Sequence, residues 1–116
     1  VGVLAHHVAS ALIPETEIVK QLAAGTALTG VTWAMVDQGN AEHASRSQGE
    51  AAELLRRNSA IAAAAIRGLR DDQLDLAAPN SLHAGAPVTT QFWIENHPLA
   101  HAHRHLASMQ AALSAL

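Results

Sequence analysis

An all-α fold of the helix-bundle kind follows from three features of the sequence. Alanine supplies 26 of the 116 residues, and it is the strongest helix former. Apolar residues recur at helical spacing, most clearly at Leu54, Leu55, Ile61, Ala62, Ala65, Ile66 and Leu69. No stretch reads as a strand, and no internal repeat is visible. The length of 116 residues suits one domain, residues 1–116.

Residues 1–12 form the first helical stretch, interrupted by Pro14. Pro14 followed by Glu15 and Glu17 suits the first turn of a new helix, over 15–24, which Gly25 ends. A kinked continuation of a single helix fits the same residues. Residues 30–45 are expected to be irregular with a short helical piece, because Asp37, Gly39 and Asn40 resemble a turn. The clearest helix covers 47–69. Ser47 and Glu50 match the S-x-x-E capping box, and the helix is about 35 Å long at the usual rise per residue. Asp71, Asp72, Gln73 and Leu74 cap a short turn after it. Residues 78–88 hold Pro79, Asn80, Gly85 and Pro87 and read as a loop. The last helix starts near Thr89 or Thr90 and runs towards the C-terminus. Pro98 lies inside it, deprives the Ile94 carbonyl of its usual donor and predicts a kink.

Large apolar side chains are few, with no Tyr and one Phe, so the core is thin for the length. A further helix or a second subunit, as in a homodimer, is expected to add buried surface. Val1, Gly2, Val3 and Leu4 read as element interior, so residues are expected to precede Val1 in the full protein.

The net charge is −3 with histidines neutral. Arg56, Arg57, Arg67 and Arg70 read as a solvated helix face, so nucleic acid is not an expected partner. The apolar run over 61–66 is far short of a membrane span. No basic region precedes the apolar first turns, which His6 and His7 interrupt, so they do not read as a signal peptide. Cytoplasm is the default expectation. With no Cys, the chain has no disulfide, no zinc finger and no thiol nucleophile of its own.

The histidines hold the chemistry. There are eight, with His6 and His7 near the start and His97, His101, His103 and His105 in the final helix. Residues four apart share a helix face. His101 and His105 therefore aim at one point, and His97 and His101 obey the same spacing, whereas His103 points elsewhere. An i, i+4 histidine pair is a common helical half of a metal site, with metal–nitrogen bonds of about 2.0–2.1 Å. Such a pair standing alone is as readily a solvated surface feature. A third ligand must come from another segment, and His6 or His7 is the available donor. Three histidines leave a coordination position open for water or substrate, as in catalytic sites.

These segments resemble a known family. Val3-Leu4-Ala5-His6-His7-Val8-Ala9-Ser10 resembles the "HHVA" helix of the DinB-like superfamily. His101-Ala102-His103-Arg104-His105-Leu106-Ala107 resembles its closing H-x-x-x-H helix. Ala65-Ile66-Arg67-Gly68-Leu69-Arg70-Asp71-Asp72-Gln73-Leu74 is similar to its middle helix and the turn after it. The resemblance spans nearly the whole chain. It implies a DinB-like four-helix bundle lacking the first family helix, with one divalent metal ion on His7, His101 and His105. His7 is chosen over His6 as the histidine directly before Val-Ala. Pro98, one turn before His101, and the competing His97 depart from the pattern. Zn is the foremost metal, with Ni or Fe as options.

The resemblance also implies kinship with bacterial thiol S-transferases that use mycothiol or bacillithiol. The expected activity is transfer of a low-molecular-weight thiol to an electrophilic small-molecule substrate. Metal-assisted hydrolysis is the second enzyme reading, with Glu42, His43 and Glu95 as acid/base candidates by type. His83, in its Pro/Gly loop, is expected to be solvent-exposed. A third reading is a non-catalytic interaction or dimerisation module with structural metal or none. Trp33, Phe92 and Trp93 are then packing or interface anchors, although Trp93, one turn from His97, equally suits a pocket wall.

Overall fold

A computed structural model describes residues 1–41 and 47–116. Six helices occur among them: α1 Gly2–Ala23, α2 Trp33–Ala41, α3 Gln48–Arg67, α4 Asp71–Leu74, α5 Thr90–Ile94 and α6 Ala100–Ser114. A five-residue π-turn, Glu95–Leu99, joins α5 to α6. The molecule measures 45 × 29 × 22 Å. Its mainly helical character agrees with the sequence. Among the described residues no helix is long and apolar enough to cross a membrane.

Of the two readings at Pro14, the continuation of a single helix is the one found, and residues 15–24 belong to the second half of α1 and its C-cap rather than to a separate helix. Pro14 costs the Ser10 carbonyl its donor, yet the buried stripe continues past it through Val8, Ala9, Leu12, Thr16, Val19 and Leu22. Burial of that stripe on both sides of the proline offsets the local loss, which is about 3 kcal/mol in a helix interior. Helix α3 is the main partner of α1, and the buried Asn58 amide donates to the Ala9 carbonyl at 2.8 Å. The end of α1 is a Schellman motif. Gly25, at φ +72, lets Gly25 N–H reach Leu22 O and Thr26 N–H reach Gln21 O, both at 2.9 Å.

Residues 33–41, expected to be largely irregular, form the nine-residue α2. Thr32 Oγ1 accepts from Met35 N–H just before it. The Trp33 indole donates to Leu82 O at 3.0 Å, pinning the start of α2 to the 78–88 segment. Helix α3 opens as the sequence predicts, with reciprocal bonds between Ser47 and Glu50.

The 78–88 segment is more ordered than the loop expected of it. Ala77–Pro79 (β1) pairs antiparallel with Pro87–Thr89 (β2), Ala78 opposite Val88, across a 3₁₀ turn at Ser81–His83. The fold is therefore mainly helical, as expected, with a small two-stranded ribbon where no strand was expected. Each strand is only three residues long, too short for an alternating pattern to mark it. Leu28 bonds to the same segment through Pro79 O and Ser81 N–H. Val19, Leu22, Leu28, Ala78, Leu82, Val88, Trp93 and Ile94 make the core. It lies where the C-terminal half of α1 meets the ribbon and α5, and Trp93 is 1% exposed within it.

Thr89 caps α5 through Phe92 N–H at 3.0 Å. The irregularity expected at Pro98 is the π-turn, in which Ala100 N–H reaches five residues back to Glu95 O. The inserted residue turns α6 relative to α5. Thus Trp93 and Ile94 enter the core, while α6 lies along the N-terminal half of α1 with no fully buried residue.

Candidate metal centre

His7, His101 and His105 come together where α6 crosses α1. One ring nitrogen from each lies within 4.8 Å of the other two, close enough to hold a metal ion. The Nε2 atoms of His7 and His101 are 2.8 Å apart. Ring centroids are separated by 4.7 Å (His7–His101), 4.9 Å (His7–His105) and 4.7 Å (His101–His105), each pair edge to face. Nitrogens bound tetrahedrally to one ion at about 2.0–2.1 Å stand about 3.3 Å from one another. The triad therefore needs only small side-chain adjustments to match. Three imidazoles are a borderline-soft donor set, suited to a first-row divalent ion.

The triad follows from local structure. His101 and His105 occupy one face of α6 by their four-residue spacing, and α1 places His7 opposite. Burial, and then the positive charge of His101, His7 and Arg104, hold His105 below the ordinary histidine range. It is neutral at pH 7, the form that binds metal. His6, one position from His7, turns into the protein, 5% exposed, with Ser10 Oγ 3.3 Å from its Nδ1.

Glu15 is the member that sequence reading missed. His101 Nδ1 lies 3.0 Å from Glu15 Oε1. An ionised carboxylate only accepts, so His101 Nδ1–H is the donor, and the His101 Nε2 lone pair is left free for the cluster. Glu15 Oε2 is buried with no hydrogen-bond partner among the described residues. The signal lay in the spacing. Along an unbroken α1, residues 7, 11 and 15 share one face, a relation that a separate helix over 15–24 would not have.

His97 does not join the triad. Its ring stacks on Trp93 at 3.7 Å, with Trp33 nearly parallel at 6.1 Å. Its Nε2 lies 3.0 Å from His83 Nε2. Burial, then the positive charge of His83, Arg104 and His101, pushes His97 down to about 4. His83 is thus partly buried in an aromatic cluster with Phe92, Trp93 and His97, not a free loop residue. His103 is exposed, as its phase requires. Glu95 is exposed and accepts from Gln91 at 2.9 Å. Glu42 and His43 lie outside the described residues.

A cleft of about 720 Å³ adjoins the triad, lined by His7, Glu15 and His101 at one end and by Trp33, Met35 and Val36 of α2 at another. Trp93 serves both expected roles, filling the core and forming part of this wall. No family model, curated protein or solved structure matches this chain.

Proposed function

We propose that this chain is a DinB-like metalloenzyme that transfers a low-molecular-weight thiol to an electrophilic small molecule. The observation that carries the reading is the convergence of His7, His101 and His105 within 4.8 Å, from the two segments that resemble the family's ligand-bearing helices. A divalent ion, Zn²⁺ foremost, supplies the positive charge that lowers the pKa of a thiol or water and yields a nucleophile at neutral pH. The three imidazoles would hold the ion, and three protein ligands would leave it a position for a thiol or water. Glu15 Oε1 orients His101. Glu15 Oε2, buried and without a hydrogen-bond partner among the described residues, is the candidate that would accept a proton from the nucleophile. With no Cys in the chain, the attacking sulfur comes from a small molecule.

The test is metal content per chain for untagged protein, wild type and His105→Ala, alongside thiol transfer from mycothiol or bacillithiol to chlorodinitrobenzene. About one ion per wild-type chain is expected, with loss of both ion and transfer in the variant. Transfer that persists after chelation overturns the reading.

A hydrolytic reading is favoured by one observation, the same free Glu15 oxygen. It belongs to a carboxylate beside the triad, an acid/base candidate that the exposed Glu95, bonded to Gln91, is not. Metal-dependent cleavage of an activated ester without added thiol separates the two.

A further inference from the structure

We infer that the cleft beside the histidine triad binds an amphiphilic organic anion, its apolar body along α2 and its charged head at Arg104. This rests in part on the metalloenzyme reading, because it names the class of molecule that the same site takes. The cleft volume of about 720 Å³ lies in the range of small-molecule pockets, about 300–1,000 Å³. Ile18, Leu28, Val31, Trp33, Met35 and Val36 give it an apolar wall. Trp33 and Met35 are 49% and 57% exposed, so a large part of this wall is uncovered. Exposed apolar surface inside a concave site gains most when an apolar ligand covers it.

The charges at the cleft are unequal. Glu17 is held by Lys20 at 2.7 Å, and Glu15 is engaged with His101 at 3.0 Å. Arg104 also lines the cleft and makes no ion pair among the described residues. It is adjacent in sequence to His105 and three residues from His101, and its charge bears on both His97 and His105. The unpaired guanidinium therefore stands at the triad end of the cleft. A divalent ion on three neutral imidazoles adds positive charge at that end. The five N–H donors of the Arg104 guanidinium suit a carboxylate or a similar planar or tetrahedral anion. Asp37, on α2, makes no ion pair among the described residues, and it sets up the competing outcome, an amphiphilic cation.

The test uses three probes of equal chain length, octanoate, octan-1-ol and octylammonium, each below its aggregation concentration. Trp33 and Trp93 both line the cleft, so intrinsic fluorescence reports occupancy. Octanoate is expected to bind at least about tenfold more tightly than the other two. Arg104→Gln is expected to weaken octanoate about tenfold and leave octanol unchanged, and circular dichroism checks that this exposed position leaves the fold intact. Trp33→Ala is expected to weaken both. A preference for octylammonium, or an octanoate affinity unchanged in Arg104→Gln, overturns the inference.

Running the titrations on zinc-loaded and chelated protein separates this inference from the metal reading. Arg104-dependent octanoate binding by protein that takes up no zinc leaves the inference standing and removes the metal centre. Zinc uptake without octanoate binding does the reverse.

Discussion

The imidazole of His101 is held between two partners, with Nδ1 3.0 Å from Glu15 Oε1 and Nε2 2.8 Å from His7 Nε2. The carboxylate sits eight residues after His7 on the same helix. A single helix, α1, therefore supplies both a candidate ligand and the group that orients another. Carboxylates behind metal-binding histidines fix the tautomer and raise ligand basicity. We predict that Glu15→Ala weakens zinc binding roughly 10–100-fold, measured by competition with a chromophoric chelator. Glu15→Gln keeps an acceptor and has a smaller effect. Unchanged zinc affinity in Glu15→Ala would show that the contact does not tune the site.

His105→Ala separates a functional metal from a structural one. His105 is only partly buried, and the core lies at the other half of α1. The chelated variant should melt within a few degrees of chelated wild type. Zinc at 100 times its dissociation constant should stabilise wild type by about 2.7 kcal/mol and leave the variant unmoved. Differential scanning calorimetry with and without zinc reads both effects.

Acid should weaken the metal-free fold across a defined window. His97 is pushed down to about 4, from the 6.5 of an ordinary histidine. Between these values the unfolded chain binds the proton and the folded chain does not. Stability is therefore greatest above 6.5 and is lost as the pH falls towards about 4, with no further change from this group below that. His97→Phe removes the titration and keeps a ring against Trp93. Urea midpoints at pH 7, 5.5 and 4.5 should fall less steeply in His97→Phe than in wild type. Parallel slopes would remove His97 as the source.

Pro14 tests the continuity of α1. It is exposed and lies inside a helix that continues on both sides. Pro14→Ala restores a backbone donor for Ser10 O and relieves the ring's pressure on that carbonyl. The gain is reduced by the greater freedom of the unfolded chain. We predict a net stabilisation of about 1–3 kcal/mol, read from urea unfolding. A loss of stability would mean that the proline defines a boundary between two helices.

Much of the local structure was legible because its causes are local. The Ser47–Glu50 box, the helix start near Thr89 or Thr90 and the irregularity at Pro98 all depend on groups within five residues of one another. The shared face of His101 and His105 is equally local, since helical periodicity alone sets it. Three features depended on contacts between distant segments. Burial against α3 carries α1 through Pro14, an outcome that neither proline nor alanine propensity decides. Pairing between 77–79 and 87–89 makes a ribbon from a segment rich in turn residues. The crossing of α6 over α1 brings His101 to Glu15, 86 residues away, and draws His97 out to His83 and the tryptophans. The helical class and the local geometry of the histidine pair were thus readable from residue order, because hydrogen bonds and side-chain spacing within a few residues suffice for both. The meeting of His7 with that pair, implied only by resemblance, came from the packing of α6 on α1, as did the carboxylate behind it and the lining of the cleft. Those depend on how helices pack, and packing is set by apolar burial summed over the whole chain.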